Sequence, residues 1–286
     1  MKISGKTRVC AVIGDPIEHS LSPCIHNAAF QHLGLDYAYL CFAVKEYDLR
    51  DAVLGMKSLG IYGINVTTPH KVRIIQYLDR LDETANKVGA VNTVLNSTEM
   101  IGYNTDGLGA LNALKAHGAD LNDKKVVILG SGGASRSISF AIAEEALDLV
   151  ILNRTPEKAE VLANKISATT GKKVRWGKLC DDLLAEELKG ANILINATSV
   201  GMHPDDSETP VDRSLLRRDL IVFDLIYNPI ETRLLREAKS VGAKTMDGLT
   251  MLVYQGAASF EIWTGMRAPV DIMMKAARDE LKTRKI

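Results

Sequence analysis

An amide, a hydroxyl and an amine, those of Asn65, Thr67 and Lys71, close an apolar run, residues 61–66, that reads as a short strand. Pro69 falls among them and is expected at the first turn of a following helix, where its missing N–H costs nothing. At the carboxyl end of a strand, where open α/β sheets place their ligands, these side chains could converge on a polar molecule. A blander reading has the amide and hydroxyl capping a helix and the lysine solvated. A second polar group lies earlier, where Gly14, Asp15 and Pro16 end a strand and Ser20 and Ser22 precede Pro23. Ser22 is expected to N-cap a helix that has Pro23 at its first position. Capping leaves Ser20 unexplained, and neutral donors at a helix N-terminus suit a carboxylate. Downstream, Asn92 with Thr93, and Asn104 with Thr105 and Asp106, each bring small polar groups to the end of an apolar run.

A third group is rich in glycine. Residues 125–129 form an apolar strand that runs directly into Gly130, Ser131, Gly132, Gly133, Ala134 and Ser135, and a helix is expected at 136–143. Glycines there permit a tight turn and close backbone approach to a pyrophosphate, whose charge the helix N-terminus stabilises. Ser135 stands where a third Gly or Ala is usual, a change expected to loosen helix–strand packing slightly. The next strand ends not in Asp or Glu but in Asn153, Arg154 and Thr155, with Lys158 one helical turn on. An acidic residue would hold a ribose 2′-hydroxyl, whereas an arginine beside a hydroxyl suits a 2′-phosphate. The pattern favours NADP over NAD, against the plainer reading of an exposed arginine capping a loop.

These groups need elements to hold them. Residues 9–13, 37–42 and 61–66 read as strands, and 23–32 and 47–59 carry apolar residues at helical spacing. Residues 91–95 and 100–103 suggest an antiparallel pair, after which a second strand series follows at 125–129, 149–152, 193–196 and 220–224. A helix over 107–117 connects the two series. From Gly248 the chain turns helical, with Ala268 and Pro269 separating two helices, and Met251, Met266, Met273 and Met274 are expected to pack in the core. The fold class is α/β with two domains. Residues 1–105 and 249–286 are expected to form an N-terminal α/β substrate domain completed by C-terminal helices, and 106–248 a Rossmann-type NADP-binding domain, with a cleft between. The loop 203–210 is expected to be exposed.

Composition narrows the function classes. Lys plus Arg equals Asp plus Glu at 35 each, so no overall charge draws the chain to nucleic acid or an anionic membrane. Cys10, Cys24, Cys41 and Cys180 form no C-x-x-C pair, and are expected to be reduced, small core residues. His19, His26 and His70 lie in different elements without a shared ligand pattern, so no metal is expected. The start lacks the apolar run of a signal peptide, and no stretch approaches the roughly 18 apolar residues of a membrane span. A soluble cytoplasmic protein with a small-molecule substrate is the expectation, and a homodimer is one assembly open to it.

Taken in order, residues 20–23, 65–71, 89–93, 104–107, 130–136, 153–155, 196–202, 224–232 and 248–255 resemble the NADP-dependent shikimate dehydrogenase family, and the resemblance covers essentially the whole chain. Departures are few: Ser131 and Ser135 in the glycine loop, and Thr68 where methionine or phenylalanine is common. The resemblance implies reversible reduction of 3-dehydroshikimate to shikimate in aromatic biosynthesis. It implies that Ser20, Ser22 and Tyr227 bind the substrate carboxylate, and that Asn65, Thr67, Lys71, Asn92, Asp106 and Gln255 hold the ring oxygens. Lys71 would supply the proton that accompanies hydride transfer, with Asp106 as its partner in a catalytic dyad. Gly130, Ser131, Gly132, Gly133, Ala134, Asn153, Arg154, Thr155, Lys158, Thr198, Ser199, Leu225 and Gly248 would line the cofactor. Glu83 is a peripheral cofactor contact in the family, though a solvated helix charge is the better reading of it. A quinate/shikimate dehydrogenase using NAD is disfavoured by Arg154 and by the serine pair. A non-catalytic ligand-sensing relative would have no need of both Lys71 and Asp106, and a folate-linked dehydrogenase no need of the serine pair.

Overall fold

The structure, a computed structural model, describes residues 3–283. Met1 and Lys2, part of the chain start weighed for a leader, and 284–286, the end of the expected first domain, lie outside the described residues. The chain divides into two compact units, one built from residues up to Gly109 and from Val253 onward, the other from Ala110–Leu252. Both divisions fall inside helices, at 109 and 252 rather than at the expected 105 and 248.

Unit 1 opens with β1 (Arg8–Gly14), α1 (Ser22–His32), β2 (Tyr37–Ala43), α2 (Leu49–Ser58) and β3 (Gly63–Val66). It continues with β4 (Arg80–Leu81), α3 (Glu83–Val88), β5 (Thr93–Asn96), β6 (Met100–Tyr103) and the start of α4 (Asp106–Ala116). The sheet runs β2-β1-β3-β5-β6-β4. β1 is parallel to β2 and β3, whereas β3–β5 and β5–β6 are antiparallel, as the short link between residues 91–95 and 100–103 suggests. Ile13, Ile64, Val94 and Met100 pack with Leu49 and Val53 of α2 on one face.

Two local expectations fail here. No α-helix follows β3: the Thr67 carbonyl accepts the His70 N–H at 2.9 Å, and the chain enters a 3-10 turn at Arg73–Tyr77. The buried His70 ring holds that bend, its Nε2 lying 2.7 Å from the Val44 carbonyl, so Pro69 sits in a turn rather than a helical first turn. Nor is Ser22 an N-cap. It is the first residue of α1, the cap position is Leu21, already near helical dihedrals, and the Ser22 N–H is bonded to Ser20 Oγ at 3.2 Å.

Unit 2 contains β7 (Lys125–Leu129), α5 (Gly133–Glu145), β8 (Asp148–Asn153), α6 (Pro156–Thr170) and β9 (Val174–Lys178). Then come α7 (Asp181–Lys189), β10 (Ile193–Asn196), β11 (Ile221–Asp224), α8 (Arg233–Ser240) and β12 (Lys244–Met246). All six strands are parallel, in the order β12-β11-β10-β7-β8-β9, which reverses direction between β7 and β10. Such a reversal opens a crevice beyond the strands' carboxyl ends, the usual ligand position in doubly wound sheets. Buried Glu187 of α7 accepts Lys125 at 2.7 Å and also pairs with Arg175, tying α7 to β7 and β9. Burial would raise its pKa, but the two cations outweigh burial and hold it below the usual carboxylate range.

The chain returns to unit 1 along α9 (Gly248–Thr264) and α10 (Val270–Thr283), and α10 packs on α1. Of the cysteines only Cys10 is a buried core residue; Cys24 and Cys41 are half-buried and Cys180 is exposed at the start of α7, so the core reading fits one of four. Met251 and Met273 are buried as expected, whereas Met266, just past the end of α9, is exposed. Residues 203–208 are exposed. No helix of the described residues is long and apolar enough to cross a membrane.

Candidate active site

In unit 1 the structure brings Lys71, Asp106, Asn92 and Gln255 together. Lys71 follows β3 and Asp106 opens α4, and the ammonium Nζ lies 2.5 Å from Asp106 Oδ2. The second carboxylate oxygen, Oδ1, accepts Asn92 Nδ2 at 2.8 Å. The same amide nitrogen approaches Thr105 Oγ1 at 2.9 Å and Gln255 Oε1 at 3.2 Å. The orientation of the Asn92 amide is unambiguous, because its Oδ1 accepts the Thr105 backbone N–H at 2.8 Å, and a backbone N–H can only donate. Asn104 closes the turn ahead of α4, accepting the Asp106 N–H on Oδ1 and donating Nδ2 to the Ala90 carbonyl.

Asn65 is buried and its amide is engaged inside the protein. Its Oδ1 accepts the Tyr39 phenol at 2.6 Å, and its Nδ2 faces the Asn92 carbonyl, Thr93 Oγ1 and Ser259 Oγ at 3.0–3.2 Å. Ser22 also hydrogen-bonds the Tyr39 phenol, and burial pushes that phenol well above its ordinary pKa, so it remains a neutral donor. Thr67 is half-buried beside Lys71 in the sequence. Glu83 stands on the exposed first turn of α3 and pairs with Lys87 at 2.8 Å, the solvated helix charge that its spacing allows.

Thr93 and Thr105 were read from the sequence only as polar groups ending apolar runs, and Tyr39 and Ser259 were not singled out at all. One signal was available for Ser259: it lies four residues after Gln255, hence on the same face of an otherwise apolar helix.

Unit 2 carries the glycine turn at the switch point. Gly130 has φ +102°, and a Cβ there would fall 2.9 Å from the Ala197 carbonyl oxygen, so the first position of the loop admits only glycine. Gly132 is the N-cap of α5 and, with Gly133, has open space around it, leaving the helix N-terminus accessible. Ser135 does not loosen the packing: it is buried, and its Oγ donates to the Gly130 carbonyl at 2.6 Å, stapling the helix to the turn. At the end of β8, Arg154, Thr155 and Lys158 are exposed, and neither cation pairs with another described residue. Asn153 Nδ2 holds the Thr155 carbonyl at 2.8 Å, bending the chain at that point.

The loops after β10 and β11 are joined by a buried carboxylate. Asp224 accepts Asn196 Nδ2, the Ile226 N–H and Thr232 Oγ1, at 2.7–3.1 Å. Among the described residues no cation lies beside it, and burial raises its pKa from 3.8 to about 6, against three hydrogen bonds that lower it. Thr198 Oγ1 donates to Asn196 Oδ1 at 2.7 Å, and Ser199 is exposed beside it. A Cβ on Gly248 would fall 2.0 Å from the Leu225 carbonyl oxygen, so these two backbones lie in direct contact. Tyr227 follows β11 in this unit, half-buried.

The sheet order, the glycine turn and the unpaired cations after β8 define unit 2 as a Rossmann-type dinucleotide-binding domain, in a protein whose other unit carries a lysine–aspartate pair. Residues 12–94 match the shikimate dehydrogenase substrate-binding domain, 112–251 the shikimate/quinate 5-dehydrogenase model and 248–278 the shikimate 5′-dehydrogenase C-terminal domain. The chain belongs to the shikimate dehydrogenase family. A shikimate dehydrogenase (NADP+) of Methanocaldococcus jannaschii is 47% identical to it over 98% of this chain and 99% of that protein. A crystal structure of a shikimate dehydrogenase in complex with NADP+ superposes with a TM-score of 0.92 at 46% identity, covering 98% of this chain and 97% of the other. The shikimate 5-dehydrogenase of Listeria monocytogenes, crystallised with shikimate and NAD, gives 0.91 at 41% identity, covering 96% and 98%.

Proposed function

We propose that this chain catalyses the reversible NADP-dependent interconversion of 3-dehydroshikimate and shikimate, a step of aromatic biosynthesis, with Lys71 and Asp106 as its catalytic dyad. The observation that carries the reading is the 2.5 Å contact of Lys71 with Asp106, in a chain whose whole length matches enzymes of that activity. The dinucleotide fits unit 2. The open N-terminus of α5 suits its pyrophosphate, Arg154, Thr155 and Lys158 a 2′-phosphate, and the loops carrying Thr198, Ser199, Leu225 and Gly248 its nicotinamide end. When bound, NADP supplies the hydride chemistry.

The work of this chain's own residues is recognition and proton transfer. Ser20 and Ser22 offer hydroxyls to the substrate carboxylate. Thr67, Lys71, Asp106 and Gln255 address the ring oxygens, with Asn65 and Asn92 ordering them. During reduction the Lys71 ammonium gives a proton to the oxygen on which negative charge develops, and Asp106 holds it in place; in oxidation the amine takes that proton back. The four free thiols favour a cytoplasmic site of action.

The test is a spectrophotometric assay of purified protein with shikimate or quinate, each against NADP and NAD. Shikimate with NADP is expected to give the highest kcat/KM. Dominance of quinate with NAD would replace this reading with that of an NAD-dependent quinate dehydrogenase. Absence of turnover with all four pairs would make the chain a binding relative.

A further inference from the structure

One buried hydroxyl lies where the polar side chains behind Lys71 and Asp106 converge. Ser259, fully buried on α9, is 3.0 Å from Asn65 Nδ2, 2.7 Å from Thr93 Oγ1 and 3.3 Å from Thr105 Oγ1, and its Oγ lies 3.1 Å from the Gln255 carbonyl. Those contacts join β3, β5, the turn ahead of α4 and the helix that carries Gln255.

Three backbone groups set the direction of the bonds. The Asn92 carbonyl fixes Asn65 Nδ2 as a donor, the Thr105 N–H fixes Asn92 Oδ1 as an acceptor, and the Gln255 carbonyl gives the Ser259 hydroxyl a place to donate. With its proton on Gln255, Ser259 Oγ accepts from Asn65 and from a threonine hydroxyl. The amide of Asn92 is then held with Nδ2 toward Asp106 Oδ1, leaving Oδ2 for Lys71. Buried networks of this kind fix geometry when every member is satisfied.

We propose that Ser259 is a positioning residue for the Lys71–Asp106 pair, acting through Asn65, Thr93, Thr105 and Asn92, none of which it resembles in sequence position. The proposal rests on the dyad reading given above. Removing the Oγ leaves Asn65 and the two threonine hydroxyls without their shared partner, which loosens the setting of the Asn92 amide that holds Asp106 beside the lysine. Small displacements of catalytic groups are costly in rate even when substrate still binds.

The experiment measures steady-state shikimate oxidation with NADP, together with Tm, for wild type, Ser259→Ala, Lys71→Ala and the double variant. Ser259→Ala is expected to lower kcat about tenfold with little change in the KM for NADP, and to cost nothing further once Lys71 is gone. Unchanged kcat in Ser259→Ala, or an equal loss in the Lys71→Ala background, would overturn the proposal and leave Ser259 a packing residue. Near-normal kcat in Lys71→Ala alone would remove the dyad itself, a failure visible without any Ser259 variant. Should Ser259→Ala not fold, Tyr39→Phe carries the same test from the far end of the network. A kcat loss that disappears in the Lys71→Ala background supports the proposal, and an unchanged kcat overturns it.

Discussion

Lys71 Nζ lies 2.5 Å from Asp106 Oδ2, with the carboxylate almost wholly buried and the lysine side chain still 17% exposed. The asymmetry matters. A carboxylate held by Asn92 on one oxygen cannot swing, while the ammonium retains an open side toward a ligand. Lys71→Ala is therefore expected to lower kcat by about a hundredfold or more, with a smaller change in substrate KM, because a group that acts on the developing oxyanion affects turnover most. Steady-state kinetics with shikimate and NADP measure both terms, and near-normal kcat would take Lys71 out of the chemistry.

Arg154 is exposed at the end of β8 and pairs with no other described residue, so its guanidinium is available to an anion. Arg154→Ala is expected to raise the KM for NADP about tenfold or more while changing that for NAD far less, since a lost charge-assisted bond to phosphate is worth about 1.5–3 kcal/mol. Equal changes for the two cofactors would show that this arginine does not read the 2′-phosphate.

The strands of unit 2 were legible because strands buried on both faces are continuous apolar runs, as in Val126, Val127, Ile128 and Leu129. Edge strands β9 and β12 were not, since Arg175, Lys178 and Lys244 break the run where one side meets water. In unit 1 the glycine, proline and serine signals located the turns but mistook their geometry. Pro69 reads as a helix start only until the buried His70 ring is seen holding Val44, a contact 26 residues away in sequence. The polar residues proposed to meet a ligand cluster in short motifs and could be picked out. How they are held in place could not be read: Ser259 meets Asn65 across 194 residues, and no local pattern encodes such a pairing.

Ser135 departs from the small apolar residue usual at its place, and its hydroxyl is what fixes the Gly130 carbonyl at 2.6 Å. Ser135→Ala keeps the volume nearly constant and leaves that carbonyl without this donor. A loss of about 1 kcal/mol in unfolding free energy is expected, the ordinary worth of one buried hydrogen bond. The KM for NADP should rise a few-fold as the turn loosens. Denaturant titration and kinetics on one preparation check both, and an unchanged or higher stability would make the hydroxyl incidental.

Two buried titratable groups should give the stability of the units opposite dependences on pH. His26, enclosed in unit 1 and stacked on Tyr39 at 4.4 Å between centroids, has its pKa lowered by burial from 6.5 to about 3. The unfolded chain therefore binds this proton first. The stability is fully present above pH 6.5 and falls with acidification until the folded pKa is passed, by about 1.4 kcal/mol per pH unit within that window. Asp224, in unit 2, is shifted from 3.8 to about 6, so the folded state binds its proton more tightly. Its contribution is fully present below pH 3.8 and is lost as pH rises through 6, a span worth about 3 kcal/mol. Unfolding free energies between pH 4 and 7 should accordingly fall less steeply toward acid in His26→Phe, which retains an aromatic ring but cannot titrate, than in wild type. In Asp224→Asn, which no longer gains a proton in the folded state, they should fall more steeply. Parallel curves for wild type and His26→Phe would mean that the ring reaches solvent and titrates normally in the folded protein.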